Sequence, residues 1–262
     1  MKNKLVAVVL ACCACASYAY AEQPLAEQYR AVLKTGNFLV DYEADYGDYV
    51  VSKTIAGYAD MRMERNNLKI RGIVPLYGYG KRSYPDTLYR EGKYYKFEAK
   101  KKATVADETQ LDDPNLDPKA GWNTVRYTLA LPDEFLPICP DDYFRPDSAA
   151  LGQAVYTATV KRTIVKREYT SDKYVLPLKS QAGNTLAEIN YYYCYGEKGL
   201  AYIEKIIVNK GREYLISRVK IKELTADVPV EAFTIPAGCK VYAAGIGDMD
   251  DLINKPALVE EY

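Results

Sequence analysis

Histidine is absent from all 262 residues. Its absence removes imidazole-based zinc sites, Ser-His-Asp and Cys-His nucleophiles, and histidine acid–base chemistry. Carboxylate chemistry stays open, because paired Asp or Glu side chains can hydrolyse a glycosidic bond alone. Excess charge of either sign is absent too, with 35 Lys plus Arg against 35 Asp plus Glu. Nucleic-acid affinity comes largely from phosphate neutralisation, so no nucleic-acid partner is expected. No apolar run approaches the about 20 residues needed to cross a bilayer. Walker A, GxGxxG, GxSxG and HExxH motifs are missing, and nothing implies a cofactor or a metal.

Tyrosine is abundant instead, at 26 residues against five Phe and one Trp. The chain begins with Lys2 and Lys4, an apolar stretch over 5–16, and Ala19-Tyr20-Ala21 before Glu22-Gln23-Pro24. That order reads as a secretory signal peptide over 1–21, leaving one domain over 22–262. An alternative reading is lipidation at Cys12, within Val9-Leu10-Ala11-Cys12. The body is expected to be exported, and either periplasmic or membrane-tethered through Cys12. Without Lys2 and Lys4 it has 33 basic and 35 acidic residues. Only Cys139, Cys194 and Cys239 remain in it. They allow one disulfide with a free thiol, or three buried thiols.

Residues 24–33 have helical spacing and end before Gly36. From Phe38 the period changes to two, with Phe38, Val40 and Tyr42 on one face. Extended segments are expected at 49–51, 54–63 and 68–74, with breaks near Gly57 and a turn at Asn66-Asn67. Residues 75–85 form a Gly-, Pro- and Tyr-rich loop. A hairpin over 87–97 turns at Glu91-Gly92, with Tyr95 and Phe97 sharing one face. Residues 103–121 read as an acidic surface insertion containing a short helical turn, 125–131 as a strand, and 132–147 as a second excursion. Extended runs follow at 155–169, 174–178, 185–195, 200–209 and 212–224. In the last, Leu215, Val219 and Ile221 are expected to face one way and Arg212, Arg218, Lys220 and Lys222 the other.

Eight to ten strands with one helix give a mainly β (α+β) chain: a curved antiparallel sheet, an incomplete barrel, and a helical or loop lid. The acid pairs Glu43/Asp45, Asp141-Asp142 and Asp250-Asp251 are the material for a carboxylate-based glycan hydrolase. Surface solvation is their simpler reading. Lys100-Lys101-Lys102 beside Tyr94, Tyr95 and Phe97 offers an envelope membrane contact, or a solvated strand end. The tyrosines suit either sheet packing or an amphipathic cavity wall.

Four segments then point to a family. They are Gly36-Asn37-Phe38, Lys69-Ile70-Arg71, Leu88-Tyr89-Arg90-Glu91-Gly92-Lys93-Tyr94-Tyr95, and the ending Val228-Pro229-Val230-Glu231-Ala232-Phe233-Thr234-Ile235-Pro236-Ala237-Gly238-Cys239-Lys240-Val241. Over roughly 25–243 the chain resembles the LolA/LolB/LppX-like envelope proteins. The resemblance implies a half-barrel with a helical lid and an apolar cavity for a lipid or lipoprotein, here with insertions near 75–85 and 103–147. Phe233, Ile235, Pro236 and Gly238 match the closing element. Arg62 and Arg71 occupy the region of the carrier's cargo-release arginine. The cavity candidates are Phe38, Val40, Tyr89, Tyr95, Phe97, Tyr191, Tyr193, Leu215 and Val219. The expected function is noncatalytic binding of a lipid, lipoprotein or other amphiphile. A cargo-free structural or interaction protein is the alternative, and the sequence leaves oligomeric state open.

Overall fold

The computed structural model describes residues 24–70, 86–98, 101–113, 116, 122, 125–139, 154–245 and 258–261. The leader with Cys12, Arg71, the 75–85 loop, Asp141-Asp142 and Asp250-Asp251 lie outside the described residues. The helix α1 spans Ala26–Lys34 and buries Ala26 and Leu33. Gly36, at φ +75°, then lets the chain turn into the sheet.

Among the described residues, thirteen strands form one sheet. The first six are β1 (Phe38–Asp45), β2 (Tyr49–Tyr58), β3 (Met61–Ile70), β4 (Asp86–Arg90), β5 (Lys93–Glu98) and β6 (Lys102–Asp107). They run as a meander. A second meander holds β7 (Val155–Ile164), β8 (Arg167–Lys179), β9 (Thr185–Gly196), β10 (Gly199–Asn209) and β11 (Arg212–Thr225). Antiparallel pairing of β1 with β11 joins the two. β12 (Lys240–Ala243) adds parallel to β6, and β13 (Leu258–Glu261) adds antiparallel to β12. The order β13-β12-β6-β5-β4-β3-β2-β1-β11-β10-β9-β8-β7 has two ends that do not meet, so the barrel is incomplete.

Cross-strand register defines the faces, because directly opposed residues share one. Phe38, Gly57, Arg62, Tyr89, Tyr94 and Ala106 lie on one row. This inner face continues through Ala44, Val219, Ile203, Tyr193 and Asp172. The outer face carries Leu39, Ala56, Met63, Leu88, Tyr95 and Val105. Phe233, Ile235, Cys239 and Val241 of the closing segment pack among these outer residues.

Buried Asp172 docks α1. It accepts the Ala26 N–H at 3.0 Å, the Tyr195 hydroxyl at 2.8 Å and the Thr159 hydroxyl at 2.9 Å. A buried carboxylate with three donors is satisfied, and its charge complements the helix N-terminus. The Tyr29 hydroxyl accepts the Leu200 N–H at 2.7 Å, and its ring stacks on Tyr195.

Several sequence expectations need correction. Asn66 lies inside β3 opposite Lys53, and the β2–β3 turn is at Ala59-Asp60. A ten-residue partner ladder outweighs the turn preference of two asparagines. Gly57 does not break β2. A Cβ there would meet the Gly36 carbonyl oxygen at 2.5 Å and Phe38 Cε1 at 2.7 Å, so glycine admits a close approach. Residues 125–131 are not a strand: Val125–Thr128 is one helical turn, α2. Trp122, Val125 and Leu129 have helical spacing and pack on Tyr94 and Ala106. The stretch read as an insertion from 103 starts inside β6, with Ala103, Val105 and Ala106 buried, and its short helical turn is Glu108–Gln110. Residues 155–169 are a hairpin, because Val165-Lys166 turn the chain at φ +47° and +64°.

Leu215 does not share the Val219 face. A bulge at Ile216 of β11, opposite the Lys205-Ile206 step of β10, sets Ser217 opposite Lys205 but Leu215 opposite Ile206. The extra residue, Ile216, flips the parity and sends Leu215 to the outer side, where it is exposed.

Val165 is β-branched and exposed in left-handed backbone, a strained combination. Val165→Asn is therefore expected to stabilise the fold by about 0.5–1 kcal/mol in urea unfolding, since asparagine accepts that conformation.

Candidate functional site

The inner face is covered by α1 and by residues 129–139. Phe38, Val40, Tyr191, Tyr193 and Val219 form one buried cluster there, together with Leu33, Tyr42 and Ile203. Leu131, Phe135, Leu136 and Ile138 of the cover complete it. The Phe135 ring lies 6.0 Å from that of Tyr42. Tyr89 shares the inner face but sits in a neighbouring cluster under Trp122 and Val125. Tyr95 and Phe97 share a face as expected, and it is the outer one. The nine candidates therefore do not line one space: six face inward, two face outward in the core, and Leu215 is exposed.

The cover is pinned at several points. The Tyr193 hydroxyl donates to the Glu134 carbonyl at 2.8 Å. Ser217 Oγ donates to Glu134 Oε1. Lys205 Nζ meets Asp133 Oδ2 at 3.2 Å, and Arg30 donates to the Pro137 carbonyl at 2.5 Å. Sheet strands β9, β10 and β11 and helix α1 each hold one anchor.

Polar groups run through the inner face. Glu64 is buried and meets Lys53 Nζ at 2.5 Å. Arg62 is buried beside the Phe38 ring and donates to the Ala59 and Met61 carbonyls. Burial lowers its pKa to about 10.

Beside the cover a cleft of about 370 Å³ remains open. Tyr42, Tyr46, Tyr49, Glu134, Lys53 and Lys205 are among the residues that line it. The Tyr46 and Tyr49 rings stack at 4.9 Å. A larger groove of about 780 Å³ surrounds the end of the β9–β10 hairpin. It presents Tyr29, Tyr195 and Tyr202 with Arg167, Lys198 and Lys220.

Sequence reasoning missed Glu134, which falls in the excursion over 132–147, along with Lys53, Lys205 and Tyr49. The signal for Glu134 was present in Leu131, Phe135, Leu136 and Ile138, whose apolar spacing around it marks a buried segment. Glu43 and Asp45 face outward opposite Lys220 and Arg218. Lys101 forms a turn, and Lys102 lies over the Tyr242 ring at 5.4 Å. Cys139, Cys194 and Cys239 are buried thiols outside any disulfide, the second of their two alternatives. Burial pushes the Cys194 thiol up to about 11. Outside the inner face, buried Glu204 accepts two bonds from Arg218 on Oε1, at 2.9 and 2.7 Å, and two from Arg162 on Oε2, at 3.4 and 3.1 Å. No three-residue group of metal-ligating type occurs among the described residues.

No family model matches the chain, and no curated protein matches it. Solved structures with some likeness include an uncharacterized conserved protein from Thermus thermophilus. It is 8% identical, covers 82% of this chain and 99% of its own, and has a TM-score of 0.35. A DUF1329 family protein from Desulfovibrio piger is 9% identical, covers 80% of this chain and 94% of its own, and has a TM-score of 0.26. At these scores neither carries an argument.

The buried tyrosines set an alkaline limit. Desolvation raises the pKa of Tyr42, Tyr174 and Tyr193 above the unfolded value of about 10. Below about pH 9 they are neutral in both states, so stability is complete. Above about pH 10 the unfolded chain loses protons that the folded chain keeps, and stability falls, by up to about 1.4 kcal/mol per pH unit for each such tyrosine. Urea midpoints are expected to hold steady to about pH 9 and drop beyond about pH 10, with part of the tyrosinate absorbance emerging only on unfolding.

Proposed function

We propose that this protein is a noncatalytic binder of a lipid, lipoprotein or other amphiphile, acting in the cell envelope after export. The observation that carries this reading is the way the inner face is covered. The tyrosine-rich apolar face of an open sheet lies under one short helix and the irregular segment 129–139, with no second sheet over it among the described residues. Such a cover is joined to the sheet by side-chain packing and polar anchors and, among the described residues, by no strand pairing. An acyl chain on that face gains about 0.8 kcal/mol for each buried methylene, enough for reversible binding without covalent chemistry. The resemblance to the LolA/LolB/LppX-like proteins agrees with this reading and is part of the proposal.

One observation favours a second reading, a cargo-free structural or interaction protein. Phe135, Leu136 and Ile138 already occupy the space over Tyr42, Tyr191 and Tyr193. An inner face filled by its own chain has no need of a ligand to bury it.

Native mass spectrometry of protein purified from its own cells separates the two. A bound lipid or acylated species, or uptake of lipid on incubation, is the expected result. Empty protein that takes up none would sink the cargo reading and leave the structural one.

A further inference from the structure

The cleft beside the cover is built around an acid that no cation neutralises among the described residues. Two lysines, Lys53 and Lys205, also line it, and each has an acid of its own. Lys53 is committed to Glu64 at 2.5 Å, and Lys205 to Asp133 at 3.2 Å. Glu134 is only 2% exposed. Its Oε1 takes the Ser217 hydroxyl, while Oε2 is buried with no hydrogen-bond donor. Folded proteins rarely leave a buried carboxylate oxygen unpaired, because its lost hydration is not replaced. The cleft it lines, at about 370 Å³, is within the size range of small-ligand sites. Tyr42, Tyr46 and Tyr49 supply aromatic rings, which attract cations through their faces. The same acid, with Glu64, helps hold the Tyr42 hydroxyl protonated, after burial as the main cause.

We propose that this cleft binds a primary ammonium group, which rests among Tyr42, Tyr46 and Tyr49 and donates to Glu134 Oε2 after a turn of that carboxylate, because Oε2 lies behind the cleft wall with no surface of its own open to it. An anion would meet the unpaired carboxylate, and a neutral apolar group would leave Oε2 without its donor. A quaternary ammonium would satisfy the rings but bring no N–H. The ammonium can belong to a free amine or to an aminolipid head group. The site does not require the lipid-cargo reading to be right.

Isothermal titration of the full chain tests this with n-hexylamine, 1-hexanol and hexyltrimethylammonium as probes. n-Hexylamine is expected to bind at least about tenfold more tightly than either analogue, a difference of about 1.4 kcal/mol. Glu134→Gln is expected to weaken it by about tenfold or more. Because Glu134 also pins the cover, Tyr49→Ala is the second variant. It alters an exposed ring at the cleft mouth and is expected to weaken hexylamine several-fold while leaving the urea midpoint near wild type. Equal affinity for hexylamine and hexanol, no binding of hexylamine, or unchanged binding in folded Glu134→Gln would overturn the proposal. Dihexanoyl phosphatidylethanolamine against its choline counterpart identifies the source. A preference for the ethanolamine lipid assigns a head group, and hexylamine binding without it assigns a free amine. If the ammonium site holds while native mass spectrometry finds no lipid, only the cargo reading fails.

Discussion

Burial of residues 129–139 against the inner face is the contact on which the rest of this structure depends. An open sheet presents two faces to water, and among the described residues no second sheet covers either. The closing segment, with Phe233 and Ile235, covers part of the outer face. The inner face carries Phe38, Val40, Tyr42, Tyr191, Tyr193 and Val219. Leaving those side chains exposed would cost about 1.5–3 kcal/mol for each large apolar one. Helix α1 buries only Ala26 and Leu33. The cover supplies Leu131, Phe135, Leu136 and Ile138, and its polar anchors fix where each lands.

That arrangement explains why the inner face is not a simple greasy pocket. Glu134 can enter the core because Ser217 and the Tyr193 hydroxyl meet it there. Asp172 can sit beneath α1 because three donors converge on it. Tyrosine suits both places. Its ring packs against the sheet while its hydroxyl satisfies a carbonyl or a carboxylate, which phenylalanine could not do. Among the described residues, Tyr193 and Tyr195 have this physical use, and the Tyr29 hydroxyl meets the Leu200 N–H in the same way. Ser217 reaches only Oε1 of Glu134, so Oε2 has no donor among the described residues, and a cleft lies beside this residue.

The mainly β fold was legible because alternation survives in most strands. Phe38, Val40 and Tyr42 alternate cleanly, and Lys210-Gly211 is a strong two-residue turn. Features that depend on distant neighbours were not legible. A bulge at Ile216 flipped Leu215, and only pairing with β10 reveals it. Asn66 read locally as a turn, but β2 held it in a strand. Residues 125–131 are equally compatible with a short strand or a helical turn, and packing against Tyr94 chose the turn. Of the nine cavity candidates, six lie on the inner face, because alternation carries them there. The cleft itself stayed hidden because its walls come from β1, β2, β10, β11 and the cover, separated by more than a hundred residues in places.

Hydrogen exchange through residues 129–139 tests the central contact most directly. The amides of Phe135, Leu136, Ile138 and Cys139 donate to carbonyls within the segment and lie in the core. They are expected to exchange as slowly as amides of β9 and β10, in one cooperative unit with the sheet. Exchange as fast as in the exposed turn at Gln181 to Asn184 would contradict the account. It would mean that the segment is a surface excursion and that the inner face is buried by something else.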